Sequence, residues 1–295
     1  MGALEGRVAI ITGAGRGIGR EHALLFAEQG AKVVVNDVGG GGDVEGSDLT
    51  FVESVVAEIR EAGGEAVANN DDITSWDGGR RLIDTAVESF GDLDILVNNA
   101  GILRDRALVN MTEQDWDAVV AVHMKGHFVP TRWAATYWRE QHKAGSTRRR
   151  NIIHTTSTSG LFANPGQANY GSSKAGVAAF SQICAKELGR YRVMSNCVAP
   201  SARTRLTMAT PGLKDVVAPP DSADHFDVWD PANVSPLFAY LASEACEFQG
   251  ETFFVQGGTI KRVTSWQLAE SLENTTRWTV DSLTKAMPTL TPTDE

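Results

Sequence analysis

Short runs of β-branched and aliphatic residues alternate along the chain with amphipathic stretches of helical period. "RVAIITG", "KVVVND", "EAVANN", "LDILVNNAG", "NIIHTTS", "MSNCVAP" and "ETFFVQGG" are the predicted strands. They carry apolar residues in unbroken runs, the pattern of strands covered on both faces. Strands of this kind separated by helices imply βαβ units with right-handed crossovers. The predicted fold is therefore α/β: a doubly wound Rossmann-type parallel sheet with helices on both faces. Such sheets bind ligands at the carboxyl ends of their strands, so chemistry is expected where these runs stop.

Three segments leave this rhythm. Residues 38–50, "VGGGGDVEGSDLT", form a glycine-rich loop where a helix should begin promptly. Residues 201–231 hold Pro211, Pro219, Pro220 and Pro231 with Met208, Phe226 and Trp229, and a mostly irregular excursion of that length is usually a lid or binding loop. Residues 263–295 contain Trp266, Leu268, Leu272, Trp278 and Leu283. They are expected to be helical pieces packed on the main domain, residues 1–262, by aromatic anchors, with "PTLTPTDE" as a frayed end.

The length of 295 residues suits one large domain with an appendage. A formal net charge of −10 argues against nucleic acid as a partner. The one basic cluster, Arg148, Arg149 and Arg150, reads as a solvated loop before a strand, or as a contact for an anionic substrate tail. Cys184, Cys197 and Cys246 are unevenly spaced in apolar surroundings, as reduced packing thiols are. No run reaches membrane-spanning length, and "VAIITGAG" is too short and glycine-rich for a signal peptide. The expected location is the cytoplasm.

The first strand ends in "TGAGRGIG", with a helix expected near Ile18. Glycines at Gly13, Gly17 and Gly19 let backbone approach a pyrophosphate, and a helix N-terminus offers unpaired N–H groups and a positive dipole end. Arg16 lies inside this loop. Asp37 closes the second strand about 20 residues further on, where a carboxylate accepts hydrogen bonds from adenosine ribose hydroxyls and repels a 2′-phosphate. NAD is the favoured cofactor; Arg16 is the feature that would suit NADP. Asp72 and Ile73 in "DDI", and Asn99 and Gly101 in "LVNNAG", end the next two strands and would flank the adenosine half.

"YGSSK" places Tyr170 and Lys174 one helical turn apart on one face. A phenol with a pKa near 10 is a weak base at neutral pH, and an adjacent ammonium lowers that value towards useful acid/base strength. Ser157 ends the preceding strand, and the loop "TSGLFANPGQAN" can return its hydroxyl beside Tyr170. Alone, the tyrosine–lysine spacing is weak evidence, and a helix with a buried tyrosine and a snorkelling lysine explains it equally well.

Taken together, "TGAGRGIG", "NNAG", Ser157 and "YGSSK", in this order over roughly residues 5–262, resemble the short-chain dehydrogenase/reductase family. The resemblance implies Tyr170 as general acid/base, Ser157 as carbonyl polariser and Lys174 as the partner that lowers the phenol pKa and binds ribose. "VVVNDVGGG", "NNAGILRDR", "VHMKGHF" and "GQANY" are similar to the subgroup of (3R)-hydroxyacyl-CoA dehydrogenase domains of peroxisomal multifunctional enzymes type 2 and their single-domain bacterial relatives. That likeness implies oxidation of 3-hydroxyacyl-CoA, or of 17β-hydroxysteroids as the alternative. The chain ends "TDE", without a peroxisomal signal of serine-lysine-leucine type. Where many members have "PG" after the sixth strand this chain has Pro200 and Ser201, with Ser201 the candidate for the cofactor contact there. The resemblance also implies a homodimer or homotetramer through helices within 111–141 and 170–188.

His123 and His127, at i and i+4, first suggest a metal pair. No glutamate follows as in HExxH and no third ligand lies nearby, so no metal is expected. His123 stands where most of the resembled family has an asparagine that holds a water beside the catalytic lysine, and is a candidate site residue. His127 and His154 read as structural, His154 as a satisfied core residue. Two other classes compete with a dehydrogenase: a non-catalytic dinucleotide-binding sensor or scaffold, which would not need Ser157, Tyr170 and Lys174, and a methyltransferase, which has no use for YxxxK.

Overall fold

The computed structural model describes residues 2–39, 50–209, 215–220, 222 and 225–290. Among them eight strands form one sheet: β1 (Val8–Thr12), β2 (Lys32–Asn36), β3 (Glu65–Asn69), β4 (Ile95–Asn98), β5 (Arg150–Thr155), β6 (Val193–Ser201), β7 (Thr252–Gln256) and β8 (Thr259–Val263). Their order is β3-β2-β1-β4-β5-β6-β7-β8. All pairings are parallel except β7 with β8. The chain reverses its winding between β1 and β4, and that switch point opens a crevice beyond the strand ends.

Each apolar run feeds both faces of the sheet. Ala9 and Ile11 of β1 join Val33 and Val35 of β2 in a cluster on one face, completed by α1 (Gly17–Glu28), α2 (Thr50–Glu61) and α9 (Ser235–Ala242). Val8 and Ile10 join Val34 on the other, against α3 (Trp76–Phe90) and α5 (Gly126–Lys143). The alternation is the period of a strand. The remaining helices are α4 (Glu113–Val120), α6 (Thr158–Phe162), α7 (Ala168–Leu188), α8 (Arg205–Ala209) and α10 (Val280–Ala286).

Strand β8 departs from the expected seven. Gly257, at φ +50°, and Gly258 make a two-residue turn after β7, and "TIKRV" returns antiparallel with Gln256 opposite Thr259. A glycine pair in this place is a hairpin signal. The returning strand is polar and mostly exposed, so hydrophobic pattern alone does not reveal it.

The basic triplet is only in part a solvated loop before a strand: Arg148 and Arg149 lie in the loop, Arg148 exposed, whereas Arg150 opens β5 and turns inward. Arg150 is buried, with Nη1 2.5 Å from Asp94 and 3.0 Å from Asp92; Arg148 reaches Asp94 at 2.9 Å, and Arg149 donates to the Glu244 carbonyl at 2.8 Å. The buried Asp94 requires this compensation, because an isolated carboxylate away from water is strongly disfavoured. Cys184, Cys197 and Cys246 are free and buried.

The chain separates into two compact units, Met1–Val263 and Thr264–Glu295. In the second, Thr279 and Ser282 cap α10 reciprocally, and Trp266 and Leu268 are exposed. Most of the glycine-rich loop 38–50 and part of 201–231 lie outside the described residues, as do the last five of the expected frayed end. No helix among the described residues is long and apolar enough to cross a membrane, and no group of three His, Cys, Asp or Glu there is arranged to hold a metal ion.

Candidate active site

A cavity of about 510 Å³ lies at the carboxyl ends of the strands, and every candidate cofactor and catalytic residue named above lines it: Gly13, Arg16, Gly17, Ile18, Gly19 and Asp37 at one end, Asp72, Ile73, Asn99 and Gly101 along the side, Ser157, Tyr170, Lys174, His123 and Ser201 at the other.

The glycine end is built from backbone. Gly13 leaves β1 at φ +65°, and a Cβ there would stand 2.7 Å from Ala100 Cα. A Cβ on Gly19 would meet the Gly13 carbonyl oxygen at 2.1 Å. Helix α1 starts at Gly17 with no side chain capping it, so its first N–H groups remain available to an anion. Asn99 ties the following loop to this one: its Nδ2 donates to the carbonyls of Thr12 at 3.1 Å and Gly13 at 3.3 Å. Thr12 Oγ1 in turn accepts from the backbone of Asn99 and Ala100. The Asp37 carboxylate accepts from Gly15 N at 3.1 Å and Gly39 N at 3.0 Å. The Arg16 guanidinium lies 4.2 Å over the Phe51 ring of α2. Together a close backbone cradle, an uncapped helix start and a ribose-directed carboxylate fit an adenine dinucleotide.

The catalytic end is built from side chains. Ser157 follows β5 and caps α6, its Oγ accepting from Ser159 N at 3.2 Å. Gly160 lets α6 lie against α7, since a Cβ there would come 2.6 Å from Ala175 N. This close approach returns Ser157 to Tyr170, near enough for the serine to lower the phenol's pKa against the effect of burial. Lys174 is buried, its Nζ 2.5 Å from the Thr155 carbonyl and 5.8 Å from the centre of the Tyr170 ring. Thr156 Oγ1 donates to the Lys174 carbonyl at 2.6 Å, holding α7 to the end of β5.

The electrostatics differ from the sequence expectation. Burial raises the Tyr170 phenol above its ordinary value; the Ser157 hydrogen bond opposes this and the charge of Asp105 adds to it. Burial also pushes the Lys174 ammonium down, to about 7. In the protein alone, desolvation, not Lys174, sets the direction of the phenol's shift.

The two histidines do not share a site. Ala121–Lys125 is a π-turn between α4 and α5, and its wider turn breaks the i, i+4 alignment. His123 places Nε2 2.8 Å from the Ile102 carbonyl and meets the Tyr170 ring edge-on, centroids 5.0 Å apart. It fits because Gly101 has no Cβ, which would stand 2.5 Å from His123 Cε1. Burial, then the charge of Lys174, holds its pKa well below the usual range. His127 stacks on His154 instead, Nδ1 to Nδ1 3.3 Å. His154 is a core residue but not a satisfied one, because its Nε2 has no partner among the described residues.

Sequence reasoning gave no role to Gln167, Asn164, Thr204, Val217 and Trp229, all of which line the cavity. The last three come from the proline-marked excursion, which Arg203 ties down by donating to the Val217 carbonyl at 3.0 Å and pairing with Asp227. Gln167 sat inside the quoted "GQANY" without an assigned function.

Residues 7–211 match the short chain dehydrogenase family. The chain belongs to that family. It is 43% identical over 263 residues to a hydroxyacyl-CoA dehydrogenase of Mycobacterium tuberculosis, covering 88% of this chain and 80% of the other. It is 46% identical over 246 residues to peroxisomal multifunctional enzyme type 2 of Drosophila melanogaster, covering 83% of this chain but only 38% of that protein. The crystal structure of a short chain dehydrogenase from Mycobacterium avium superposes with a TM-score of 0.85 at 45% identity, covering 97% of this chain and 95% of that one. This short chain dehydrogenase is thus an oxidoreductase acting on CH–OH groups.

Proposed function

We propose that the enzyme interconverts (3R)-3-hydroxyacyl-CoA and 3-ketoacyl-CoA with NAD. The observation that carries the reaction type is the presence of Ser157, Tyr170 and Lys174 in one cavity with the glycine loop. The acyl-CoA substrate is supported by the relative named a hydroxyacyl-CoA dehydrogenase. Asp37, its carboxylate held by Gly15 and Gly39, supports NAD over NADP.

Gly13, Gly17 and Gly19 with the start of α1 would hold the pyrophosphate, Asp37 the adenosine ribose and Lys174 the nicotinamide ribose. The nicotinamide supplies or takes up the hydride. In the reducing direction the Tyr170 phenol gives its proton to the carbonyl oxygen, and Ser157 hydrogen bonds that same oxygen as charge develops on it. In the oxidising direction Tyr170 takes the carbinol proton as phenolate. Because burial raises this phenol, oxidation gains rate as pH rises towards the phenol's pKa, whereas reduction keeps the proton it needs.

Steady-state oxidation of (3R)-3-hydroxyacyl-CoA and of a 17β-hydroxysteroid, each with NAD and NADP, tests the reading. A kcat/KM highest for the acyl-CoA with NAD is expected; preference for the steroid or for NADP would replace the corresponding half. We also propose a homodimer through α5 and α7, whose exposed Phe128 and Ile183 support it. Sedimentation as a monomer at micromolar concentration would exclude it.

A further inference from the structure

Beside the catalytic serine and tyrosine stands a second polar constellation that the hydride chemistry does not use. Gln167 is buried at the start of α7, as the residue preceding its first turn, and lines the cavity. Tyr170 follows three residues later, and both residues line the cavity. The amide of Gln167 is held by three neighbours. Its Oε1 accepts from Ser159 Oγ at 2.6 Å and from Asn164 Nδ2 at 2.9 Å. Its Nε2 donates to Asp105 Oδ2 at 2.8 Å.

This pattern fixes which way the amide faces. An ionised carboxylate accepts only, so Asp105 must meet the NH2 end, and the carbonyl end then takes both donors. An amide nitrogen carries two hydrogens, and Asp105 uses one. Asp105 is itself under tension: burial raises its carboxyl above the ordinary value, and its Oδ1 has no partner among the described residues. A half-buried carboxylate kept to orient one amide indicates that the orientation matters.

From this arrangement we infer that Gln167 is a specificity residue, presenting its second N–H to a carbonyl placed 1,3 to the one that Ser157 and Tyr170 engage. In a 3-ketoacyl thioester that group is the thioester carbonyl, a few ångströms from the reacting oxygen, so the inference rests on the acyl-CoA reading above. Asp105 is its positioning residue. A simple ketone leaves the N–H without its partner, and such a buried unmet donor is disfavoured, which supplies discrimination.

The test compares acetoacetyl-CoA with S-(3-oxobutyl)-CoA, in which a methylene replaces the thioester carbonyl, using NADH as reductant. The wild-type enzyme is expected to prefer the thioester by about 10- to 100-fold in kcat/KM, the worth of one well-placed hydrogen bond. Gln167→Met should bring that preference to within about threefold, mainly through loss on the thioester, while an NADH titration confirms a folded, cofactor-binding protein. Asp105→Asn, which keeps shape but no longer dictates the amide's direction, should lose part of the preference and decides the matter if Gln167→Met does not fold. Equal losses on both compounds would mean that Gln167 only supports α7 and would overturn the inference alone. Turnover of neither compound by wild-type enzyme that reduces another ketone with NADH would remove the acyl-CoA reading, and this inference with it.

Discussion

The two ends of the cavity are built on different principles. At the dinucleotide end, contact surfaces are backbone, and their shape depends on atoms that are absent: a single Cβ on Gly13 or Gly19 collides with neighbouring main chain. At the catalytic end, Ser157, Tyr170, Lys174, His123 and Gln167 are side chains whose charge and direction are set by burial and hydrogen bonds. The first end should fail by losing its ligand, the second by losing turnover or selectivity while still binding. That separation is open to measurement.

The largest effect is expected at the catalytic end. Tyr170→Phe should lower kcat by about 10²- to 10⁴-fold with NADH affinity within about threefold of wild type by fluorescence titration; retained activity would remove the tyrosine from the mechanism. Gly19→Ala should do the reverse. Its methyl group must displace the Gly13 carbonyl, which stands 2.1 Å from it, and overpacking of about 1–3 kcal/mol falling on the bound form weakens NADH by roughly 10- to 100-fold. Unchanged NADH affinity in Gly19→Ala would erase the contrast between the ends. Asp37→Ala should raise the ratio of NADP to NAD kcat/KM by about tenfold, the scale of one charge-assisted hydrogen bond; a constant ratio would assign cofactor choice to Arg16.

The smallest effect on the contrast between the two ends is one on stability. His22 and His154 are buried and held down to about 3, and His123 and His127 also lie well below the ordinary value, in each case first by desolvation. The folded state therefore binds fewer protons than the unfolded one below pH 6.5. Stability should be full above 6.5 and fall as pH drops through the window towards 3, by about 1.4 kcal/mol per pH unit for each neutral imidazole. A Tm that is flat from pH 7.5 to 5 would show that these rings take up protons without unfolding. Because His22 lies away from the cavity, bonded to Ser235 of α9 at 2.8 Å, its replacement should flatten this dependence without touching the contrast between the two ends.

Much of the site was legible in the chain, and the reason is local. Gly13, Gly17 and Gly19 answer to turn geometry within a few residues, Asp37 to the end of its strand, and Tyr170 with Lys174 to one helical turn. What escaped depended on distant partners. Arg148 and Arg150 resemble a solvated cluster until Asp92 and Asp94 arrive from the segment that leads into β4. His123 and His127 resemble a pair until the π-turn sends one to Tyr170 and the other to His154. "TIKRV" is not among the predicted strands because an exposed edge strand carries little apolar pattern.

By itself, then, the sequence determined the parallel sheet, the glycine cradle and the serine, tyrosine and lysine that line the cavity with it, because each is encoded by period, spacing or the absence of a side chain over short distances. Only the tertiary structure decided the burial that shifts Tyr170 and Lys174, the partition of the histidines, and the Asp105–Gln167–Ser159 network along the cavity. Those properties depend on desolvation and on hydrogen bonds between segments far apart in the chain, quantities that exist only once the chain has closed around the site.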